Sequence, residues 1–175
     1  MQQTPITGKQ PRERRTKSPE QALAALMRLC ARAEKAESDA RRLMRGWGLT
    51  AADAERIVAR LVADRFIDDR RYADAFVREK MRLSGWGAYK IRAALRRKGI
   101  APETIDAAWA AVDPAGMGDR LRTQLARKVR TLRAATPREL KTKLIRYGLS
   151  LGYDYETVLP AAAEFIEECD ACDDF

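Results

Sequence analysis

The sequence contains no histidine, which removes both the commonest general base near neutral pH and the commonest metal ligand. Serine–histidine–acid triads, HExxH sites and most zinc sites are therefore excluded or much weakened. Cysteine is scarce: Cys30, Cys169 and Cys172 are an odd number, make no even disulfide framework, and stay thiols in a reducing compartment. No apolar run approaches the roughly eighteen residues that span a bilayer, and the opening MQQTPITGKQPRERRTKSPE lacks the apolar core of a signal peptide. We expect a cytoplasmic protein without a membrane partner. Neither a Walker A loop nor a dinucleotide-binding glycine fingerprint occurs. No catalytic residue, metal or cofactor is expected, and the chain reads as a binding protein rather than an enzyme.

What is present in quantity is charge. Among 175 residues 34 are basic and 25 acidic, a formal net charge of +9, and the distribution is uneven. Residues 68–98 hold ten basic and four acidic side chains, 115–147 hold ten and two, and 148–175 hold none and eight. A basic body thus ends in an acidic segment, a pattern that points to anionic partners. Residues 1–18 are polar and basic without apolar periodicity and read as a flexible arm.

Self-similarity organises the remainder. Gly48, Gly99 and Gly148 recur at spacings of 51 and 49 residues. Four positions before them stand Met44, Leu95 and Leu144, and eight before stand Ala40, Ile91 and Leu140. Each glycine suits the left-handed position that ends a helix, with the following aliphatic residue folding back on the last turn. The flanking segments complete a helix–helix–helix unit used three times, at 19–35, 38–47 and 51–65, at 69–83, 87–98 and 102–112, and at 117–132, 137–147 and 153–168. Ser18, Thr50, Asp68 and Thr136 are expected N-caps, with Ser18-Pro19-Glu20-Gln21 and Thr136-Pro137-Arg138-Glu139 as proline-containing capping boxes. Leu23/Leu26/Met27/Cys30, Ile57/Val58/Leu61/Val62, Tyr72/Ala73/Phe76/Val77 and Leu121/Leu125/Val129/Leu132 each cover one helical face. The expected fold is all-α, three tandem three-helix repeats forming an elongated, curved array. The segments are an arm at 1–18, repeats at 19–66, 67–114 and 115–168, and an acidic tail at 169–175.

The stretch Phe66-Ile67-Asp68-Asp69-Arg70-Arg71-Tyr72-Ala73, followed by Gly87, Ile91, Leu95 and Lys98-Gly99-Ile100, resembles the central repeat of the RecX family. The resemblance extends over about residues 20–168, since that family also consists of three tandem three-helix repeats. It implies a regulator that binds the RecA recombinase filament on DNA, lies in its helical groove, and modulates recombination, DNA repair and the DNA-damage (SOS) response, with inhibition the expected sign. It does not extend to the link at 113–118 or to the Cys169-Asp170-Ala171-Cys172 segment.

Candidate contacts follow from charge density. Arg70, Arg71, Arg78, Lys80 and Arg82 share one predicted helix, and Lys90, Arg92, Arg96, Arg97 and Lys98 share the next, where Ile91 and Leu95 point inward at i, i+4. The third repeat adds Arg127, Lys128, Arg130, Arg133, Lys141, Lys143 and Arg146. A cation-rich helix face is by default a solvated face, but two such helices per unit can neutralise several phosphates and release counterions. Partners on this reading are a RecA-type filament and single- or double-stranded DNA, engaged by a monomer. Trp86 either exposes its indole for stacking or packs inward, whereas Trp47 and Trp109 read as core. Asp68 and Asp69 are helix caps or a carboxylate pair for Mg²⁺. The two tail cysteines lack the second half of a zinc site. The acidic tail either folds back on the basic units or stays solvated. The competing function is a basic trihelical module that binds DNA directly, as helix-turn-helix proteins do.

Overall fold

The structure, a computed structural model, describes residues 16–113 and 115–170. The arm up to residue 15 and the side chains from 167 onward, Cys169 and Cys172 among them, lie outside the described residues. Among the described residues there are nine helices: α1 Pro19–Cys30, α2 Glu37–Gly46, α3 Ala51–Ala63, α4 Asp69–Ser84, α5 Ala88–Arg97, α6 Pro102–Ala110, α7 Ala115–Val129, α8 Pro137–Leu151 and α9 Tyr155–Asp170. They form three groups of three. α3 packs on α1 and on α2, α6 on α4 and on α5, and α7, α8 and α9 on one another. The chain divides into two compact units, Met1–Ile67 with one group and Asp68–Phe175 with two.

Local chemistry sets most helix starts. The Ser18 hydroxyl accepts from the Gln21 amide at 3.3 Å while Gln21 Oε1 accepts from the Ser18 amide at 3.2 Å, which satisfies two donors of the first turn. Thr50 Oγ1 accepts from the Asp53 amide at 3.1 Å. Asp68 accepts from the Arg70 and Arg71 amides at 2.9 and 3.0 Å, so it is a cap. Thr136 accepts from the Glu139 amide at 3.1 Å, and the Glu139 carboxylate reaches one residue beyond the cap to the Ala135 amide at 2.8 Å.

In the first unit Leu26, Met44 and Leu61 are fully buried among Ala22, Ala40, Ala54, Ile57, Val58 and Ile67, and Leu23, Met27 and Cys30 pack partly buried against them. Val62, expected on the same face, is 41% exposed: the buried side of α3 is the stripe of Ala54, Ile57, Val58 and Leu61, and Val62 lies at its margin. Arg41 ties α2 to α3, donating to Glu37 at 2.8 Å and to both oxygens of Glu55 at 2.9 and 3.0 Å.

The glycine register holds twice and shifts once. Gly48 and Gly99 have φ of +79° and +77°, and the amides after them close on Met44 and Leu95 carbonyls at 3.1 and 3.2 Å. Gly148 does not end a helix: it lies buried inside α8, where a Cβ would stand 2.6 Å from Val158 Cγ1. The stop is Gly152, at φ +90°, with Tyr153 buried in the fold-back place while Leu149 is 42% exposed. The smallness of Gly148 serves the crossing of α8 and α9, and α8 gains one turn.

Several carboxyls are held below their ordinary pKa: Glu55 by the Arg41 guanidinium, Asp53 by the Thr50 hydroxyl and Arg56, Glu139 by the Lys143 ammonium and the Ala135 amide, and Asp154 by Thr157. A depressed folded pKa contributes stability above the ordinary carboxylate range that is lost as pH falls through the folded values. With no histidine to titrate in between, the melting temperature should be flat from about pH 5.5 to 8 and fall below about pH 4. A midpoint that moves between pH 6 and 7, as differential scanning calorimetry would show at roughly histidine's pKa, contradicts this.

Candidate functional site

The second repeat is built around a helix with two faces. Ile91, Ala94 and Leu95 of α5 are buried in the core with Tyr72, Ala73, Val77, Ile100, Ile105 and Ala108, which turns Arg96 and Arg97 to solvent. Both follow from the 3.6-residue period, since Ile91 and Leu95 stand one turn apart and their neighbours must point away.

Not all the candidate cations are available. Arg70 pairs with Asp74 at 3.2 Å and donates to the Ala107 carbonyl at 3.3 Å. Arg92 is ion-paired to Asp106 and lies 5.6 Å from the Trp109 ring centroid, so it joins α5 to α6 rather than facing solvent. Lys80 pairs with Glu79 at 2.7 Å and sits over Phe76 and Trp86. Lys143 pairs with Glu139 at 2.7 Å and donates to the Arg133 carbonyl at 2.5 Å, and Lys128 lies over Tyr147. Arg71 and Lys98 are also engaged. By contrast Arg78, Arg82, Arg96, Arg97, Arg127, Arg130 and Arg146 are exposed and make no ion pair among the described residues. Arg133 and Lys141 likewise carry no side-chain ion pair. The exposed cations thus belong to the outer sides of α4, α5, α7 and α8 and to the link between α7 and α8.

Trp86 is neither fully exposed nor core. It is half-buried, edge-on to Phe76 at 6.4 Å, with the Lys90 ammonium 4.7 Å from its centroid. Trp47 and Trp109 are half-buried too, Trp47 beneath Lys17 at 5.2 Å. Lys90 continues from Trp86 to the next repeat, donating to the Ser150 carbonyl at 3.0 Å.

That contact is part of a main-chain joint inside the second unit. α5 has no side-chain N-cap; instead the Gly87 amide donates to the Leu151 carbonyl at 2.8 Å and the Tyr89 amide to the Gly152 carbonyl at 3.0 Å. Unpaired donors at one helix start thus meet unpaired acceptors at another helix end, with favourable dipole signs. Sequence reasoning missed this joint. Its one visible trace is that Gly85-Trp86-Gly87 carries a second glycine where a capping residue would normally stand.

Among the described residues no group of three or more His, Cys, Asp and Glu sits where it could hold a metal ion, and no helix is long and apolar enough to cross a membrane. The fold, with its charged outer faces, defines a tandem three-helix-repeat protein. Residues 68–108 match the sequence profile described as RecX, second three-helix domain. Regulatory protein RecX of Mycolicibacterium vanbaalenii is 33% identical over 135 residues, 75% of this chain and 72% of that protein, and its Shewanella oneidensis counterpart is 32% identical over 111 residues, 57% and 87%. The chain belongs to the RecX family. A solved RecX from Lactobacillus salivarius superposes with a TM-score of 0.68 at 18% identity, covering 83% of this chain and 95% of that one, which shows the shared fold. Against the Clostridium botulinum protein, 30% identical over 101 residues and 57% of this chain, the match spans 47% of the relative's length.

Proposed function

We propose that the chain is a cytoplasmic, non-enzymatic regulator that binds a RecA-type recombinase filament on DNA and restrains its activity in recombination and repair. The observation that carries this reading is the two-faced α5, whose buried Ile91 and Leu95 are anchored in the core while Arg96 and Arg97 project to solvent with no ion pair among the described residues. Similar unpaired arginines on α4, α7 and α8 give a filament, which presents protein and phosphate together, several points of attachment. Each phosphate neutralised releases counterions, so affinity should fall steeply with salt.

The rival reading, a helix of one repeat inserted in the major groove, fits less well. The third helix of the second repeat, α6, exposes Glu103 and Asp106 and contains no lysine or arginine, which phosphates would repel. Arg56 and Arg60 of α3 are paired with Asp53 and Asp64.

The test is ATP hydrolysis by a preformed recombinase filament on single-stranded DNA, titrated with this protein while filament binding is followed at two salt concentrations. Binding with reduced hydrolysis is expected. The Arg96→Glu/Arg97→Glu variant should lose about tenfold in filament affinity with an unchanged fold. Absence of filament binding, alongside tight binding to bare duplex, would overturn the reading in favour of the DNA module.

A further inference from the structure

We propose that the cleft between α4 and α7 is a docking groove for an acidic protein segment that also carries apolar side chains. The proposal rests on the regulator reading above and specifies what kind of surface a protein partner presents.

A depression of about 290 Å³ opens between the second and third repeats, lined by Val77, Arg78, Met81, Arg82, Val112 and Arg120 together with Ala111 and the carboxylate of Asp113. A second, of about 230 Å³, shares Met81, Arg82 and Arg120 and continues past Gly85 to Gln124 and Arg127, with Asp119 also in its lining. Together they make one groove. Its floor is aliphatic: Val77 and Met81 are 2% and 7% exposed. Its walls are arginine, Arg78 and Arg82 one turn apart on α4, and Arg120 and Arg127 two turns apart on α7.

None of these four arginines forms an ion pair or hydrogen bond among the described residues, and nearby carboxylates are committed. Glu79 pairs with Lys80, Asp119 pairs with Arg122, and Asp113 is engaged. The groove therefore has guanidinium groups that no described carboxylate answers, and a guanidinium fork binds a carboxylate through two parallel hydrogen bonds.

Carboxylate and phosphate are both anions, and the floor separates them. Single strands are held without sequence preference by stacking bases on aromatic rings, and no aromatic side chain lines either depression. Valine and methionine instead suit aliphatic side chains, methionine being the more adaptable. An amphipathic helix with leucines along one edge and glutamates flanking them meets floor and walls at once.

The experiment uses the full chain and fluorescence anisotropy with three labelled probes: a Glu-rich peptide of about four helical turns with leucines one turn apart, the same peptide with serine for leucine, and an oligo-dT of equal length. The leucine peptide should bind tightest. Arg82→Glu/Arg120→Glu should weaken it by at least about tenfold, and because both arginines are exposed and unpaired, its urea midpoint should match the parent. The Arg82→Lys variant should retain part of the affinity. Equal binding by parent and double variant, or no binding of the leucine peptide, overturns the proposal. So does a preference for oligo-dT that the same substitutions abolish, which would make the groove a phosphate site. If the peptide binds only after Glu167, Glu168, Asp170, Asp173 and Asp174 are neutralised, the chain's own acidic residues fill the groove and the proposal falls. A chain that binds the recombinase filament but not the peptide overturns the groove alone; one that binds neither overturns both readings.

Discussion

Gly152→Ala is expected to destabilise the second unit by about 2–5 kcal/mol, combining a left-handed residue's penalty of about 1–2 with overpacking of about 1–3. The backbone there has φ +90°, and an added Cβ would stand 2.4 Å from Lys90 Cβ and 2.5 Å from the Lys90 amide nitrogen. Gly87 approaches from the other side, its own added Cβ only 2.5 Å from the Gly152 carbonyl oxygen. Gly99→Ala supplies the control. Its φ is +77° but nothing lies within 4 Å, so only the conformational penalty of about 1–2 kcal/mol applies. Urea denaturation reads both through the midpoint at constant slope. Equal losses in the two variants would show that the close approach of the repeats contributes nothing.

Leu95→Ala should cost about 2–5 kcal/mol, the range for deleting a fully buried leucine side chain and leaving part of the cavity unfilled. Leu95 is completely buried between α5 and the rest of the second repeat. The adjacent pair behaves oppositely. Arg96→Glu/Arg97→Glu touches no packed group and should change stability by less than about 0.5 kcal/mol, while filament binding falls. On the proposed function stability and binding fall to consecutive residues, and measuring urea midpoints and filament affinity on both variants should give a crossed pattern. A double charge variant that unfolds would mean these arginines support the fold rather than a partner.

How far the sequence was readable depends on the distance over which each interaction acts. The four caps at Ser18, Thr50, Asp68 and Thr136 were legible because donor and acceptor lie within three residues of one another. The three-helix repeat was legible because its glycines and leucines recur at fixed offsets. Gly148 misled because whether a helix passes through a glycine depends on what packs there, and its neighbour is Val158 of the next helix. The cations divided in the same way. Nothing local says that Arg92 is spent on Asp106, fourteen residues on, while Arg96 has no ion pair among the described residues. Arg120 did not stand out as a candidate because only the fold sets it opposite Arg78 and Arg82 of α4. Charge density told where a binding surface could be; only packing told which charges remain for it.

The joint between α5 and α8 is made of amides and carbonyls, with Lys90 supplying its only side-chain hydrogen bond among the described residues. Main-chain groups are the same whatever residue carries them. Substitutions around the joint can accumulate while the two repeats keep their mutual setting, so long as positions 87 and 152 stay without a side chain. Mutational drift is then free to reshape the outer faces, and with them the choice of partner, on an unchanged frame.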